Sequence, residues 1–412
     1  MSTGSICLVG QTSQFIYISN YYVMGIYQSS TSVALGAMVC KNSSFTIINY
    51  TFSPDIFKIG NSSSYLFSFI NCSIVEIIGA AVLQSIYANN TQPLQLTQIS
   101  TTDSIFFQYG GICASLMNSI ILIKQYIHDM QQSINTQFIQ NSGSIIGQSF
   151  STQTQINLDS VCAQQLIQSS ASTKQVGVIG NIEGNISILN SAISQNVSFG
   201  ILFRFGIVGL LNQNILPNIS TFINVIISTI GIQSTATISN SFDISMLIGR
   251  VDQNTIFNNT SVVNGYLNGY GQIGGFIGYA GNGTYRYLNN CIVSNNSILG
   301  PQNCGGINGY SGSVVNITVQ NSNLSNSTIG QLGRYYIGGL MGQIIQTSIY
   351  ISNVKLLNMS IVGSSQVAFL VGSYNGGSFT ISGSSSSGSN YVNTKLQPNC
   401  NVLNISNSQS GC

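Results

Sequence analysis

Carboxylates are the residues of this sequence best suited to chemistry, because two of them side by side can act as general acid and general base on a glycosidic bond. The eight are Asp55, Glu76, Asp103, Asp129, Asp159, Glu183, Asp243 and Asp252. In a repeating chain, residues at one offset stack on successive repeats. Glu183, Asn212 and Asp252 share such an offset in the repeat described below. They are the one group that points to a carbohydrate-active enzyme, and substituting Glu183 and Asp252 would test it.

Other catalytic and metal-binding patterns are missing from the sequence. The sequence has one histidine, His128, but no serine-nucleophile motif that would act with it. The nine cysteines form no Cys-X-X-Cys pair. Asp-rich calcium loops and phosphate-cradling glycine loops are missing too. We therefore predict a chain that is not an enzyme, with no catalytic residue, no metal and no cofactor.

Composition narrows the classes of partner. The 412 residues are 43% hydrophobic and only 4% charged, with a net charge of +2. Ordinary domains are about 25% charged, so here the surface must be neutral and rich in amides and hydroxyls. Nucleic-acid binding needs a dense basic patch, and the ten cations are scattered. No apolar run reaches the ~20 residues of a membrane span. We predict neither a nucleic-acid partner nor a membrane span.

Internal repetition is the strongest signal in the chain. Two small residues, two apolar residues and a glycine recur, most clearly at 274–278 and 338–342, with variants at 305–309 and 368–372. The glycines that end these four blocks are Gly278, Gly309, Gly342 and Gly372. Weaker versions extend back to Gly10, and nine of the eleven steps between them are 29–33 residues long. Such a period indicates a stacked repeat architecture.

Each clear repeat continues with an asparagine and short alternating apolar segments, which are typical of strands. The asparagines are Asn290, Asn321 and Asn353. A unit with three short strands cannot bury its apolar face alone, so units must stack and pair their strands in parallel. We predict an all-β, right-handed parallel β-solenoid of about twelve rungs of roughly 31 residues. The asparagines should stack as an amide ladder, and the glycines should adopt left-handed backbone at tight corners.

The repeat sets the predicted domain boundaries. Residues 1–378 form the solenoid, with degenerate repeats over 1–244 and clearer ones over 245–378, and residues 379–412 form a Ser/Gly-rich cap or linker. Cys400 and Cys412 flank this polar tail and are candidates for a disulfide. The segment 115–140 fits either a short amphipathic helix or a pair of strands.

Tyrosines are the candidate ligand contacts. An exposed tyrosine row could stack on sugars or pack against a protein, although packing at strand surfaces explains the same residues. The candidates crowd into the clearer repeats and are Tyr270, Tyr279, Tyr285, Tyr310 and Tyr335.

The blocks at 274–278 and 338–342, with the downstream Asn290-Cys291 and Asn321-Ser322 pairs, resemble the GLUG motif. The match is good over about 245–380 and departs from the motif at Asn308. GLUG motifs occur in arrays within large surface and secreted proteins and are associated with β-solenoid stalks of adhesin-like proteins. The motif carries no catalytic residues, so the resemblance implies a scaffold and transfers no active site.

These observations predict a non-catalytic, extracellular or cell-surface scaffold that contacts a glycan or a protein, or associates with itself. The alternative is a polysaccharide lyase or hydrolase on the same scaffold. No signal peptide is visible at the N-terminus, so the chain is either intracellular or a fragment of a longer precursor. Glycosylation sequons are numerous, among them Asn42, Asn49, Asn61, Asn71, Asn89, Asn185, Asn196, Asn218, Asn282, Asn316 and Asn358.

Overall fold

A computed structural model gives the structure of the protein. It describes residues 9–12, 16–19, 25–29, 39–42, 46–49, 52–59, 68–70, 74–78, 81–89, 108–110, 113–117, 120–135, 138–149, 152, 154–169, 172–199, 201–212, 219–234, 243–281, 285–300, 302–312, 316–331, 335–387 and 391–394. The chain divides into two compact units, the first of Met1–Leu202 with Ile207–Gly209 and the second of Phe203–Gly206 with Leu210–Cys412.

The first unit contains parallel strand pairs such as β1 with β4 and β12 with β14. Its strands are β1 (Val9–Thr12), β2 (Ile16–Ser19), β3 (Gly25–Ser29), β4 (Val39–Asn42), β5 (Thr46–Asn49), β6 (Phe52–Ile59), β7 (Ser68–Ile70), β8 (Ile74–Ile78), β9 (Ala81–Asn89), β10 (Gln108–Gly110), β11 (Cys113–Met117), β12 (Ile120–Asn135), β13 (Phe138–Ser149), β14 (Thr154–Ser169), β15 (Ser172–Ile182), β16 (Gly184–Leu189) and β17 (Ala192–Phe199). Of the two alternatives for 115–140, the structure has the strands.

Shorter strands follow. They are β18 (Ile201–Phe205), β19 (Val208–Leu211), β20 (Ile219–Ile223), β21 (Ile226–Ser234), β22 (Asp243–Ser245), β23 (Ile248–Val251), β24 (Asn254–Asn258), β25 (Ser261–Val263), β26 (Tyr266–Asn268), β27 (Gln272–Gly274), β28 (Ile277–Ala280), β29 (Arg286–Asn289), β30 (Ile292–Ser294), β31 (Ser297–Leu299), β32 (Gln302–Gly305), β33 (Asn308–Ser311), β34 (Asn316–Gln320), β35 (Asn323–Ser325), β36 (Thr328–Gly330), β37 (Tyr335–Gly338), β38 (Met341–Ile345), β39 (Ser348–Ser352), β40 (Lys355–Leu357), β41 (Ser360–Gly363), β42 (Ser365–Ala368), β43 (Val371–Asn375), β44 (Phe379–Ser382), β45 (Ser385–Ser387) and β46 (Tyr391–Thr394).

The fold is a parallel β-solenoid of about six turns. In the second unit a turn has five short strands, because each strand pairs with the fifth strand after it: β24 with β29, β29 with β34, β34 with β39 and β39 with β44. The prediction of three strands per repeat was therefore wrong. The count of about twelve rungs is not supported, since β12 and β14 in the first unit are each 16 residues long and lack the regular division into short strands.

The core of the second unit is built from columns of apolar side chains, one residue per turn. Phe257, Leu288, Val319 and Ile351 form one column and are at most 1% exposed. Burying each such side chain stabilises the fold by about 1.5–3 kcal/mol. The outward neighbours alternate with them, as period two requires. Strands β44 to β46 lie within the segment predicted as a cap or linker, and that division stays a prediction.

The amide ladder predicted for Asn290, Asn321 and Asn353 is present in part. Asn290, Asn321 and Asn353 have φ angles of 52°, 49° and 53°, and Asn353 Nδ2 donates to Asn321 Oδ1 at 3.1 Å. Asn321 Nδ2 donates at 2.9 Å to Asn289, the residue before the corner. A buried hydroxyl follows, as Ser322 Oγ accepts from the Cys291 amide at 3.2 Å. These bonds satisfy corner groups that would otherwise lose water without compensation.

A second ladder, which the sequence analysis missed, stands at the next corner. Its members are Asn264, Asn295, Asn326 and Asn358, all with φ between 48° and 55°. Asn295 donates to Asn264 and Asn358 to Asn326, both at 3.2 Å. Asparagine tolerates left-handed backbone better than most side chains do, so it is suited to these two corners. Other residues have a left-handed φ elsewhere in the turns, among them Tyr336 and Gln366.

The repeat glycines have a different role from the predicted one. Gly278, Gly309, Gly342 and Gly372 lie in register, as expected, but no left-handed φ occurs among these four. A Cβ on Gly278 would lie 2.6 Å from the Ile244 nitrogen, and one on Gly342 would lie 2.5 Å from the Gly309 carbonyl oxygen. Glycine is needed there because two backbones approach too closely for a side chain.

Candidate functional site

Charged side chains gather in one cluster of the second unit. Six charged residues of this unit have described side chains, and all but Lys355 lie in the cluster. The arginine–aspartate cluster consists of Arg204, Asp243, Arg250, Asp252 and Arg286. In a chain with 4% charged residues, such a concentration is the best candidate for a functional site.

Strand pairing between successive turns positions these side chains. Arg204 of β18 pairs with Asp243 of β22, and Arg204 Nε lies 3.5 Å from Asp243 Oδ2. Arg250 of β23 reaches both carboxylates, with Nη1 at 4.0 Å from Asp243 Oδ2 and Nε at 2.8 Å from Asp252 Oδ2. Each carboxylate is therefore held by at least one guanidinium, and Arg250 links the two.

Arg286 approaches the cluster from the interior. Its side chain is 1% exposed, and Nη2 donates to the Val251 carbonyl oxygen at 3.2 Å. Nη1 donates to the Tyr285 carbonyl at 3.1 Å, while Nε has no hydrogen-bond partner among the described residues. Burial lowers the pKa of Arg286 to about 10, and the nearby Asp252 opposes this effect. Burying a guanidinium with an unsatisfied donor is costly.

Burial also changes the chemistry of one carboxyl group. Asp243 is 4% exposed, and burial raises its pKa to about 7, although Arg204 and Arg250 favour the charged form. A carboxyl group with this pKa exchanges its proton near neutral pH, as a general acid must. The cluster thus combines a titrating carboxyl group with a second carboxylate, Asp252.

The predicted group of Glu183, Asn212 and Asp252 divides between the two units. Glu183 follows β15 in the first unit, whereas Asn212 and Asp252 lie in the second. The Asp252 amide donates to the carbonyl of Leu211, the neighbour of Asn212, at 2.8 Å. Arg250 and its neighbours were not predicted as a site, although the sequence contains one signal: Arg250 directly follows a repeat glycine, as Tyr279 and Tyr310 do.

The candidate tyrosines do not form one row. Tyr279 and Tyr310 stack at 5.0 Å in one column, and the Arg250 guanidinium lies 4.5 Å from the other face of Tyr279. Both faces of Tyr279 are thus occupied. The other candidates are separate: Tyr285 stacks on Tyr287 at 6.0 Å, Tyr335 contacts Tyr336 edge-on at 5.1 Å, and Tyr270 lies between β26 and β27. Their use as ligand contacts stays a prediction.

The described cysteines of the second unit contribute no reactive group to the cluster. Cys291 and Cys304 are buried free thiols, and burial raises the pKa of both, that of Cys291 to about 12. Cys400 and Cys412 lie outside the described residues. Within the described ranges, no group of three His, Cys, Asp or Glu side chains could hold a metal ion. No helix in the same part of the chain is long and apolar enough to cross a bilayer.

Comparison of the chain with protein-family models, with curated proteins and with solved structures finds no match. The resemblance to the GLUG motif therefore stays a prediction.

Proposed function

We propose that the chain is a non-catalytic repeat scaffold outside the cell or at its surface, which contacts glycans or associates with itself. The observation that carries this proposal is the distribution of charge. The outward side chains of the stacked strands are mostly hydroxyls, amides and tyrosines, with exposed aliphatic residues such as Ile226 and Ile292 among them. Five of the six described charged residues of the second unit lie in one cluster, where both carboxyl groups contact arginines. A surface with so few charges favours neutral partners, because little charge has to be desolvated when they bind.

Two finer features belong to the same proposal. We infer a right-handed winding, because connections between parallel strands of one sheet are right-handed in about 98% of cases. The GLUG-like blocks at 274–278 and 338–342 support a relation to surface-protein stalks. The sequons at Asn316 and Asn358 are consistent with a secreted protein.

The test is a glycan array on the purified chain, run together with size-exclusion chromatography and light scattering. Specific binding without release of shorter sugars supports an adhesive scaffold. Self-association without glycan binding supports a structural one. A monomer that binds no glycan would contradict the proposal.

A polysaccharide-cleaving enzyme is the second candidate, and the raised pKa of Asp243 beside Asp252 favours it. Two observations argue against an enzyme. Asp243 is only 4% exposed, and the Asp252 carboxylate is already bound by the Arg250 guanidinium. Polysaccharide cleavage that disappears in Asp243→Asn but persists in Lys355→Gln would establish the enzyme and replace the scaffold.

A further inference from the structure

One face of the second unit carries several tyrosines, of which only Tyr285 was predicted as a ligand contact. It is formed by the outward side chains of β24, β29, β34, β39 and β44, which pair in register. One of its columns runs through Ile256, Tyr287, Thr318, Tyr350 and Thr380. We call Tyr285, Tyr287, Thr318 and Tyr350 the tyrosine platform.

Tyr287 and Tyr350 make equivalent contacts. Tyr287 Oη donates to Gln320 Oε1 at 3.1 Å, and Gln320 lies on the next turn opposite Asn289. The Tyr350 hydroxyl hydrogen-bonds with Ser382, which also lies on the next turn, and with Ser352. A tyrosine side chain that is fixed by the backbone at one end and by a hydrogen bond of its hydroxyl at the other end extends along the sheet. Both side chains therefore extend toward the next turn in the same way.

The distance between the Tyr287 and Tyr350 side chains matches the repeat length of one class of polysaccharide. They are two turns apart with the small Thr318 between them, and two strand spacings amount to about 10 Å. This distance is close to the disaccharide repeat of an extended β-1,4-linked chain, in which every second sugar presents the same face. Tyr285 stacks on Tyr287, with 9° between the two ring planes, and adds a second aromatic ring beside it.

The lack of exposed charge on this face argues against the binding of acidic polysaccharides. The one charged residue on its strands is Arg286, which points inward and is 1% exposed. Around the rings stand amides and hydroxyls such as Asn316, Gln320 and Ser352, which can donate to and accept from sugar hydroxyls. Tyr285 and Tyr350 are 37% and 38% exposed, whereas Tyr287 is half-buried.

We infer that the tyrosine platform binds a neutral, extended β-1,4-linked polysaccharide of the cellulose or chitin type. This inference rests on the proposed function and specifies the glycan and the face that contacts it. Sugar rings would stack on Tyr287 and Tyr350, and the intervening sugar would lie above Thr318.

The experiment measures the binding of the full chain to microcrystalline cellulose and to chitin, and calorimetric titration with cellohexaose and chitohexaose. Tyr350→Ala should weaken binding roughly tenfold, and Thr318→Lys should abolish it, because a long cation would occupy the position of the middle sugar. Tyr266→Ala is the matched control, since Tyr266 is 37% exposed but lies on β26, outside the platform. It should bind as the wild type does, and circular dichroism verifies the fold of each variant.

Two results overturn the inference and differ in what they mean for the proposed function. Wild-type binding that Tyr350→Ala and Tyr266→Ala reduce equally, or leave unchanged, rejects the platform but keeps the glycan-binding scaffold. Binding to acidic polysaccharides alone, or to no polysaccharide, also rejects the platform, and light scattering then decides whether the chain is a self-associating scaffold.

Discussion

The guanidinium of Arg250 lies 4.5 Å from the ring centroid of Tyr279, its partner in register on the following turn. The same guanidinium donates to Asp252 Oδ2 at 2.8 Å and lies 4.0 Å from Asp243 Oδ2. Arg250 therefore joins an aromatic stack to the two carboxylates of the cluster. Its contacts extend over neighbouring turns, so it should stabilise the stacking of those turns.

Arg250→Ala is expected to destabilise the fold by about 3 kcal/mol, because it leaves two buried carboxylates with fewer partners. The double variant Arg250→Ala with Asp252→Ala should lose less than the sum of the single variants, since the unpaired charge is removed as well. Urea unfolding followed by circular dichroism measures both effects. Strict additivity would show that the pair is not coupled.

Asp243 should make stability depend on pH. Its pKa is about 7 when folded and 3.8 in the reference state, so the folded chain binds the extra proton between these values. The free energy of unfolding should therefore fall as pH rises from about 4 to about 7. The thermal midpoint is expected to be higher at pH 5 than at pH 8, and Asp243→Asn should reduce this difference. An identical pH profile in the variant would contradict the assignment.

Arg286→Ile should leave stability unchanged or raise it by about 1 kcal/mol, because a buried charge is replaced by an apolar side chain. The position favours this change, since Ile317 occupies the same inward column on the next turn. Arg286→Ala is the comparison and should be less stable than Arg286→Ile, because it leaves a cavity. Both are measured by thermal unfolding. A loss of several kcal/mol in Arg286→Ile would show that the guanidinium is required.

The asparagine corners should be sensitive to substitution although they are exposed. Asn321→Ala is expected to cost about 1–2 kcal/mol, because alanine is disfavoured in left-handed backbone. Asn321→Gly should recover part of this loss. The control is Asn316→Ala, at an exposed asparagine that is not left-handed, and it should change little. Equal effects at both positions in urea unfolding would argue against the corner explanation.

The repeat glycines should tolerate no side chain. A Cβ on Gly309 would meet the backbone nitrogen of Ile273 and lie 2.7 Å from the carbonyl oxygen of Gly278, so Gly309→Ala should cost more than about 3 kcal/mol or prevent folding. Gly312→Ala is the matched control, because its Cβ would lie 3.3 Å from the Tyr279 hydroxyl oxygen, at the end of a side chain. The two variants are compared by their soluble yield and by the midpoint of their thermal unfolding. A stable Gly309→Ala would refute the close approach.

The period of the sequence was enough to predict stacked parallel turns, although not their number, because the repeat glycines and Asn290, Asn321 and Asn353 recur at the register of the stacked turns. It could not show why glycine is required, since a close approach of two backbones depends on the path of the neighbouring turn. The number of strands per turn was missed because the second asparagine corner, at Asn295 and Asn326, was not recognised in the sequence.

The charged cluster was harder to predict. Arg204 and Asp243 lie on different turns, and the irregular step between those turns conceals their register. Offsets from the repeat glycines could have placed Arg250, Tyr279 and Tyr310 in one column, but the burial that raises the pKa of Asp243 depends on three-dimensional packing.

The asparagine ladders give the stack a chemical direction. Asn259 donates to Asn224, Asn295 to Asn264, and Asn353 to Asn321, so in each pair the amide hydrogen comes from the later turn. A ladder of this kind leaves an amide donor at its first member and an amide oxygen acceptor at its last. Two copies joined end to end through such ladders would have to meet head to tail, since like ends present the same kind of group. A head-to-tail contact can be repeated indefinitely, so association by this route would produce filaments, not closed pairs.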